Sequence, residues 1–476
     1  MTGMGEDPLA LLPEICLLAG AIATLLTGSF LPRQRQWIAR IVALAACGAA
    51  ATAAVVALAG PDRSVFADSY AVDAATGTVR LVIAVATALV LLLGTEELRG
   101  SPRESETCCL VLLSATGAVV LAGTTDLMVL AVAYLLTSIP LYALIGISRT
   151  ARAAEAVMKT YLLGALFGIV MLLGVTLLFA MTGGTGYAGS STSGSVVPAV
   201  VAVGAVAVLA GLLFEAGAVP GHFWVPDAAQ GASTAAAAFL TTVPKVGALV
   251  AMYRLIDALP GVADWPLLVA ALSALSMTVG TFAAFAQRDP RRLLGWSTVS
   301  QVGFLLLPVA VAGRTPLAEP SLLLYLAGYA VSNLAAFAVV AAVPHRTDLA
   351  AYRGLGTSRP WLAGALLVAL LSLVGTPDRG VPGQAHHLHR RLGRGLAWLV
   401  IVAAVNTVAS LFYFLRWLAP TFARPARAGD RAEGHVDRRD ISERRPWAER
   451  TVVLAAAGVL LLGVGAGSLP ILGAIP

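Results

Sequence analysis

Apolar stretches of about 20 residues, the length that carries an α-helix across a bilayer, recur along the whole chain between short polar connections. Fourteen such segments are expected, near 8–31, 37–59, 75–95, 107–123, 125–147, 156–182, 197–219, 232–256, 265–286, 291–313, 320–343, 360–376, 395–419 and 451–472. Inside hydrocarbon every backbone N–H and C=O must be bonded within the protein. The expected fold class is therefore an all-α polytopic membrane protein. Composition agrees: 58% of the 476 residues are hydrophobic and 12% are charged, against roughly 25% charged in a soluble domain. That excludes a water-soluble enzyme, and the hydrophobicity excludes a disordered chain.

The net charge of +6 is a matter of topology and not a nucleic-acid footprint. Arginines gather in alternate connections: Arg33, Arg35 and Arg40; Arg99 and Arg103; Arg149 and Arg152; Arg288, Arg291 and Arg292; Arg346, Arg353 and Arg359; and the polar run from Arg424 to Arg450. The positive-inside rule makes that side cytoplasmic and places both termini outside. One connection on the other side breaks the rule, with His386, His387, His389, Arg390, Arg391 and Arg394. The four cysteines, Cys16, Cys47, Cys108 and Cys109, lie in apolar runs without metal-ligand spacing and are expected to be apolar fillers. Glu6 and Asp7 precede the first apolar run, which fits a first span and not a cleaved signal.

Charged groups inside spans are costly, at about 2.5–3.5 kcal/mol each on insertion scales, and are functional candidates by default. Glu215 and Lys245 stand out, each amid apolar residues and each near a proline, Pro220 or Pro244. Proline frees a backbone carbonyl, and broken helices beside charges build polar sites at mid-membrane. Burial disfavours the charged ammonium, so such a lysine can give up and regain a proton. The alternative is a static Glu215–Lys245 pair bracing two helices. Lys159 and Lys245 are the two lysines among 32 basic residues. By position Lys159 is a snorkelling residue at a helix end. His222, Trp224 and Asp227 form a Pro-containing polar turn between two spans, with no second ligand at zinc spacing beside His222. No Walker loop, dinucleotide fingerprint, CxxC pair or nucleophile elbow occurs.

The stretch FEAGAVPGHFWVPDAAQGASTAAAAFLTTVPKVGAL at 214–249 resembles the hallmark segment of antiporter-like, proton-translocating subunits of the respiratory NADH–quinone oxidoreductase, complex I. EAVMKTYLLGA at 155–165, DPRRLLGWSTVSQVGFLL at 289–306 and DLAAYRGLGTSRPWLAGALLVALLSLVGTP at 348–377 agree, and together they point to the chain N family. The resemblance implies fourteen helices in two inverted five-helix repeats with broken helices 7 and 12. It divides the chain into N-terminal helices (1–106), a first repeat (107–258), a second repeat (259–419), a polar cytoplasmic linker (420–450) and a last helix (451–476). It implies a proton relay through Lys245, Glu215 and Lys159, supported by His222, Asp227, Gln301, Pro220 and Pro244. It also implies a multi-pass place in a bacterial plasma membrane among other membrane subunits, with no nucleic-acid partner. The chain would hold no cofactor or metal of its own, with NADH, flavin, iron–sulfur clusters and quinone handled by partner subunits.

Three departures qualify this. Leu135 stands where the family places a glutamate, Glu215 where it places a lysine, and DRGVPGQAHHLHRRLGRG at 378–395 replaces an apolar half-helix with its own lysine. A one-base slip of the reading frame across Pro377 to Arg394 permits an apolar, Gly-Lys-containing sequence there; a true polar loop is the alternative. Two further functions stay open. One is a subunit of a multi-chain sodium/proton antiporter, and the other is a degenerate structural subunit without a working proton path.

Overall fold

The computed structural model describes residues 7–187, 197–375, 396–424 and 444–465. Its long helices are α1 (Leu12–Phe30), α2 (Trp37–Leu58), α3 (Ala74–Leu93), α5 (Glu104–Gly123), α6 (Leu127–Gly146), α7 (Ala151–Thr182), α8 (Pro198–Ala216), α11 (Val243–Ala258), α12 (Trp265–Phe285), α13 (Pro290–Val309), α14 (Ala318–Ala342), α16 (Pro360–Val374), α17 (Ala397–Phe422) and α18 (Pro446–Gly465). Short helices α4 (Thr95–Leu98), α9 (Trp224–Gly231), α10 (Thr234–Leu240) and α15 (Leu355–Ser358) complete the set. Aspartates start many of them. The carboxylates of Asp73, Asp126, Asp264 and Asp289 accept from the free N–H groups of the first turns of α3, α6, α12 and α13.

Among the described residues, twelve helical stretches are long and apolar enough to cross a membrane, counting Thr234–Ala258 as one. Two of the fourteen expected segments differ in character. The segment expected at 291–313 forms α13, whose first turn carries Arg291 and Arg292. The segment expected at 360–376 forms the 15-residue α16, which stops at Gly375 in the left-handed region, φ 103°. The anomalous 378–394 stretch, most of the 420–450 linker and residues 466–476 lie outside the described residues. One feature was not expected: Arg63–Val65 and Tyr70–Val72 pair as a small antiparallel hairpin, β1–β2. It packs Val65, Tyr70 and Val72 with Ala10 over the start of the first helix.

Among the described residues two spans are interrupted, and the expected break in helix 12 borders residues that are not described. The seventh runs through α8, breaks at 217–223 and resumes as α9. The eighth is α10 and α11, broken at Thr241–Thr242, and its apolar stretch is wholly buried. This buried helix approaches α5 so closely that a Cβ on Gly247 would stand 2.2 Å from the carbonyl oxygen of Ala118. Small residues allow that approach where no hydrophobic force drives helices together. Ion pairs, two of them buried and the Arg254 pair half-buried, brace the surroundings. Arg80 binds Glu14 at 2.8 Å, Arg40 binds Glu104 at 2.7 Å, and Arg254 binds Asp73 at 2.7 Å.

Candidate functional site

The break after α8 creates the site. Gly217, at φ 79°, ends the helix in the left-handed region, where a side chain is strained. The last carbonyls of a helix lack internal partners. Here two of them are taken by side chains from beyond the break: Trp224 Nε1 donates to the Phe214 carbonyl at 3.0 Å, and Lys245 Nζ donates to the Glu215 carbonyl at 2.9 Å. The ammonium also lies over the Trp224 ring, 4.3 Å from its centroid. A helix C-terminus carries partial negative charge and an indole face attracts cations, so two features, the carbonyl at the end of α8 and the Trp224 ring, favour a positive lysine. Lys245 is fully buried.

The Glu215 carboxylate turns elsewhere. Its Oε2 accepts from Ser138 Oγ of α6 at 2.5 Å, while Oε1, also buried, has no hydrogen-bond partner. The two charged groups thus sit together, joined through the backbone of Glu215 and not as a side-chain pair. Leu135, on the same helix as Ser138, is 40% exposed on the outer surface of the bundle.

Pro220 lies in the break, following a cis peptide from Val219, and Pro244 occupies the first turn of α11. Just before Pro244 the backbone of the second break is answered by α14. Tyr329 donates to the Thr241 carbonyl at 2.5 Å, and the Asn333 amide reaches the hydroxyls of Thr241 and Thr242, both at 2.9 Å. Tyr329 also reaches Thr298 of α13 at 3.2 Å. One turn on, Gln301 accepts from Tyr325 and donates to the Leu373 carbonyl at 2.7 Å, at the end of α16. Neutral polar groups thus run from the α10–α11 break to the end of α16.

Lys159 and Asp227 belong to a second cluster, on the arginine-rich face. Asp227 of α9 binds Lys159 of α7 at 2.9 Å and Arg292 of α13 at 2.5 Å. Lys159 also pairs with Glu155 at 2.6 Å, and its side chain is about half exposed. Gln230 accepts from Arg292 and donates to Asp289. His222, in the break itself, is buried and stacks against Phe223 with centroids 4.1 Å apart. Among the described residues, no group of three or more His, Cys, Asp or Glu could hold a metal ion.

Ser138, Asn333 and Tyr329 are not singled out by the sequence, and Trp224 is read there as part of the polar turn with no role towards Lys245. The one available signal was position, since Trp224 lies in the polar turn after Pro220 and Ser138 in the Ser-Ile-Pro-Leu-Tyr run.

Broken helices that present their ends to a buried lysine define a class of ion-translocating membrane subunits. Comparison with known proteins is consistent with that class. Residues 124–412 match the family described as NADH:quinone oxidoreductase/Mrp antiporter, transmembrane. The chain is 53% identical to NADH-quinone oxidoreductase subunit N of Mycobacterium sp. (strain JLS), over 97% of both chains. It is 49% identical to subunit N 1 of Streptomyces griseus, over 98% of this chain and 97% of the relative. Among solved structures, a chain of respiratory complex I from Thermus thermophilus superimposes with TM-score 0.79 at 29% identity, covering 96% of this chain and 98% of that one. A chain of the Mrp complex from Dietzia shares the fold, with TM-score 0.80 at 22% identity, covering 98% of this chain and 95% of that one. The chain belongs to the NADH:quinone oxidoreductase/Mrp antiporter family, among its subunit N members.

Proposed function

We propose that this chain is the membrane subunit of a proton-pumping NADH–quinone oxidoreductase that carries protons through Lys245. Electron transfer takes place in partner subunits, which hold flavin, iron–sulfur clusters and quinone; this chain has no redox centre of its own. It lies in a bacterial plasma membrane with both termini outside, pressed against other membrane subunits. The two inverted repeats, 107–258 and 259–419, each supply half of the path.

The observation that carries this reading is the setting of Lys245. A buried ammonium held by one backbone carbonyl and a ring face is stabilised by attractions that weaken once its proton leaves. Glu215 is the nearby acid, and its free carboxylate oxygen is the place for a proton in transit. Lys159, paired with Asp227 at the arginine-rich face, stands at the entry side. The subunit N relatives favour the redox complex over a sodium/proton antiporter, and the chain of the Mrp complex agrees in fold alone.

The test is NADH-driven proton translocation in sealed membrane vesicles carrying Lys245→Ala in the assembled complex. The expected result is a severalfold loss of translocation at unchanged complex content. A structural subunit without a proton path would tolerate the substitution.

A further inference from the structure

Away from the helix breaks, a cavity of about 350 Å³ opens on the face opposite the arginine-rich connections, between the start of α3, the end of α11 and the start of α14. Cavities of this size take small organic ligands. The charge on its walls is unbalanced. The guanidinium of Arg254 reaches it, but that charge is already met: Nη2 donates to both carboxylate oxygens of Asp73, at 2.7 and 2.8 Å, and Nε donates to the Ala122 carbonyl at 2.8 Å. Against it stand the carboxylates of Asp68, Asp257 and Glu319.

Asp257, at the end of α11, and Glu319, in the first turn of α14, make no hydrogen bond or ion pair among the described residues. Asp257 is exposed, whereas Glu319 is partly withdrawn from water, where a charge normally has a partner. Tyr187 also lines the cavity; it is 8% exposed, and its hydroxyl is buried without a hydrogen-bond partner. Such groups are rare in folded proteins, and a phenol oxygen can accept from an ammonium. The rest of the wall is apolar, with Ala75, Val250 and the ring of Tyr253. An aromatic face attracts cations.

The spacing of the acids selects the kind of cation. Among the described residues, no three His, Cys, Asp or Glu groups come close enough together to hold a metal ion. The carboxylates thus stand apart on different elements, with apolar surface between them. That pattern suits an elongated cation with charge at both ends and a hydrocarbon middle. Aliphatic amines stay protonated at neutral pH, as lysine does with its pKa of about 10.4.

We propose that this cavity binds an aliphatic diamine, with one ammonium on Asp257, the other on Glu319 beside the Tyr187 hydroxyl, and the methylene chain along Ala75 and Val250. The site is separate from Lys245 and stands whether or not that lysine carries protons.

The test is equilibrium binding of radiolabelled 1,4-diaminobutane to the purified, assembled complex, comparing the parent with Asp257→Asn and Glu319→Gln. Asp257 is exposed, so its amide variant keeps the fold, and native gels check assembly of both. The expected result is one saturable site per complex in the parent, weakened about tenfold in each variant, the effect of one lost charge-assisted hydrogen bond. Butylamine, with a single ammonium, should compete about tenfold less well than unlabelled diamine. Equal binding by the parent and Asp257→Asn overturns the proposal. So does displacement by magnesium chloride as effective as displacement by the diamine itself, which would make the site one for a hydrated metal ion.

Discussion

At the scale of single residues, the site separates a lysine's charge from its ability to exchange a proton. Trp224 contributes to the first, so Trp224→Leu should lower proton translocation about tenfold, equivalent to ~1.4 kcal/mol of lost cation–π attraction. Trp224→Phe should retain part of it through a weaker ring face, and translocation assays on the two variants check the order. Lys245 is bound to the carbonyl of Glu215 and not to its carboxylate, so Glu215→Gln should leave the amount of assembled complex unchanged on native gels. A collapse of assembly would mean that the carboxylate's charge itself braces the helices. Lys245 and Glu215 were legible in the sequence because a charge inside an apolar run is conspicuous. Asn333 and Tyr329 were not, because neutral side chains in such a run look like ordinary packing, and Trp224 was visible only as part of a polar turn. Their partners lie far off in sequence; Asn333 meets Thr241 across 92 residues.

At the scale of elements, the two breaks make the site, and each has its own local cause. At Gly217 the left-handed backbone ends α8, and a Cβ there would stand 2.6 Å from Val225 Cγ2. Gly217→Ala should therefore destabilise by about 1–2 kcal/mol from the backbone alone, with more from the clash, lowering the thermal midpoint of the purified complex. Pro244 pointed to a disturbance, but the break falls earlier, at Thr241–Thr242. The reason is physical: proline is well tolerated in a first helical turn, so it starts α11 instead of interrupting it. What opens the chain there is the set of polar partners on α14. Asn333→Leu removes the donor to both threonine hydroxyls and should cost about 1–3 kcal/mol, measurable as the same fall in thermal midpoint.

At the scale of the whole molecule, the recurring apolar runs made the membrane class and most helices legible, since length and hydropathy alone decide what can cross a bilayer. They were weaker where function intrudes. The helix α13 carries two arginines in its first turn, and α16 stops short at Gly375. Orientation rests on arginine distribution and can be tested directly. A cysteine at Asp62 should react with an impermeant maleimide added outside intact cells, and one at Arg99 should not. Cys16, which is half-buried, is replaced by serine in both variants; Cys47, Cys108 and Cys109 are buried. The reverse pattern would invert the topology. Resequencing the codons of Val374 to Leu396 separates a frame slip from a true polar loop in the twelfth span, and a confirmed loop would favour a subunit with a damaged path.

The most direct measurement of the central claim is the number of protons translocated per electron by the complex carrying Lys245→Arg. Arginine preserves the positive charge and can satisfy the Glu215 carbonyl and the Trp224 ring, but it does not give up its proton in proteins. If Lys245 works by losing and regaining a proton, the ratio falls in the variant while the complex assembles normally. An undiminished ratio would mean that Lys245 only braces the helices, and would contradict the account.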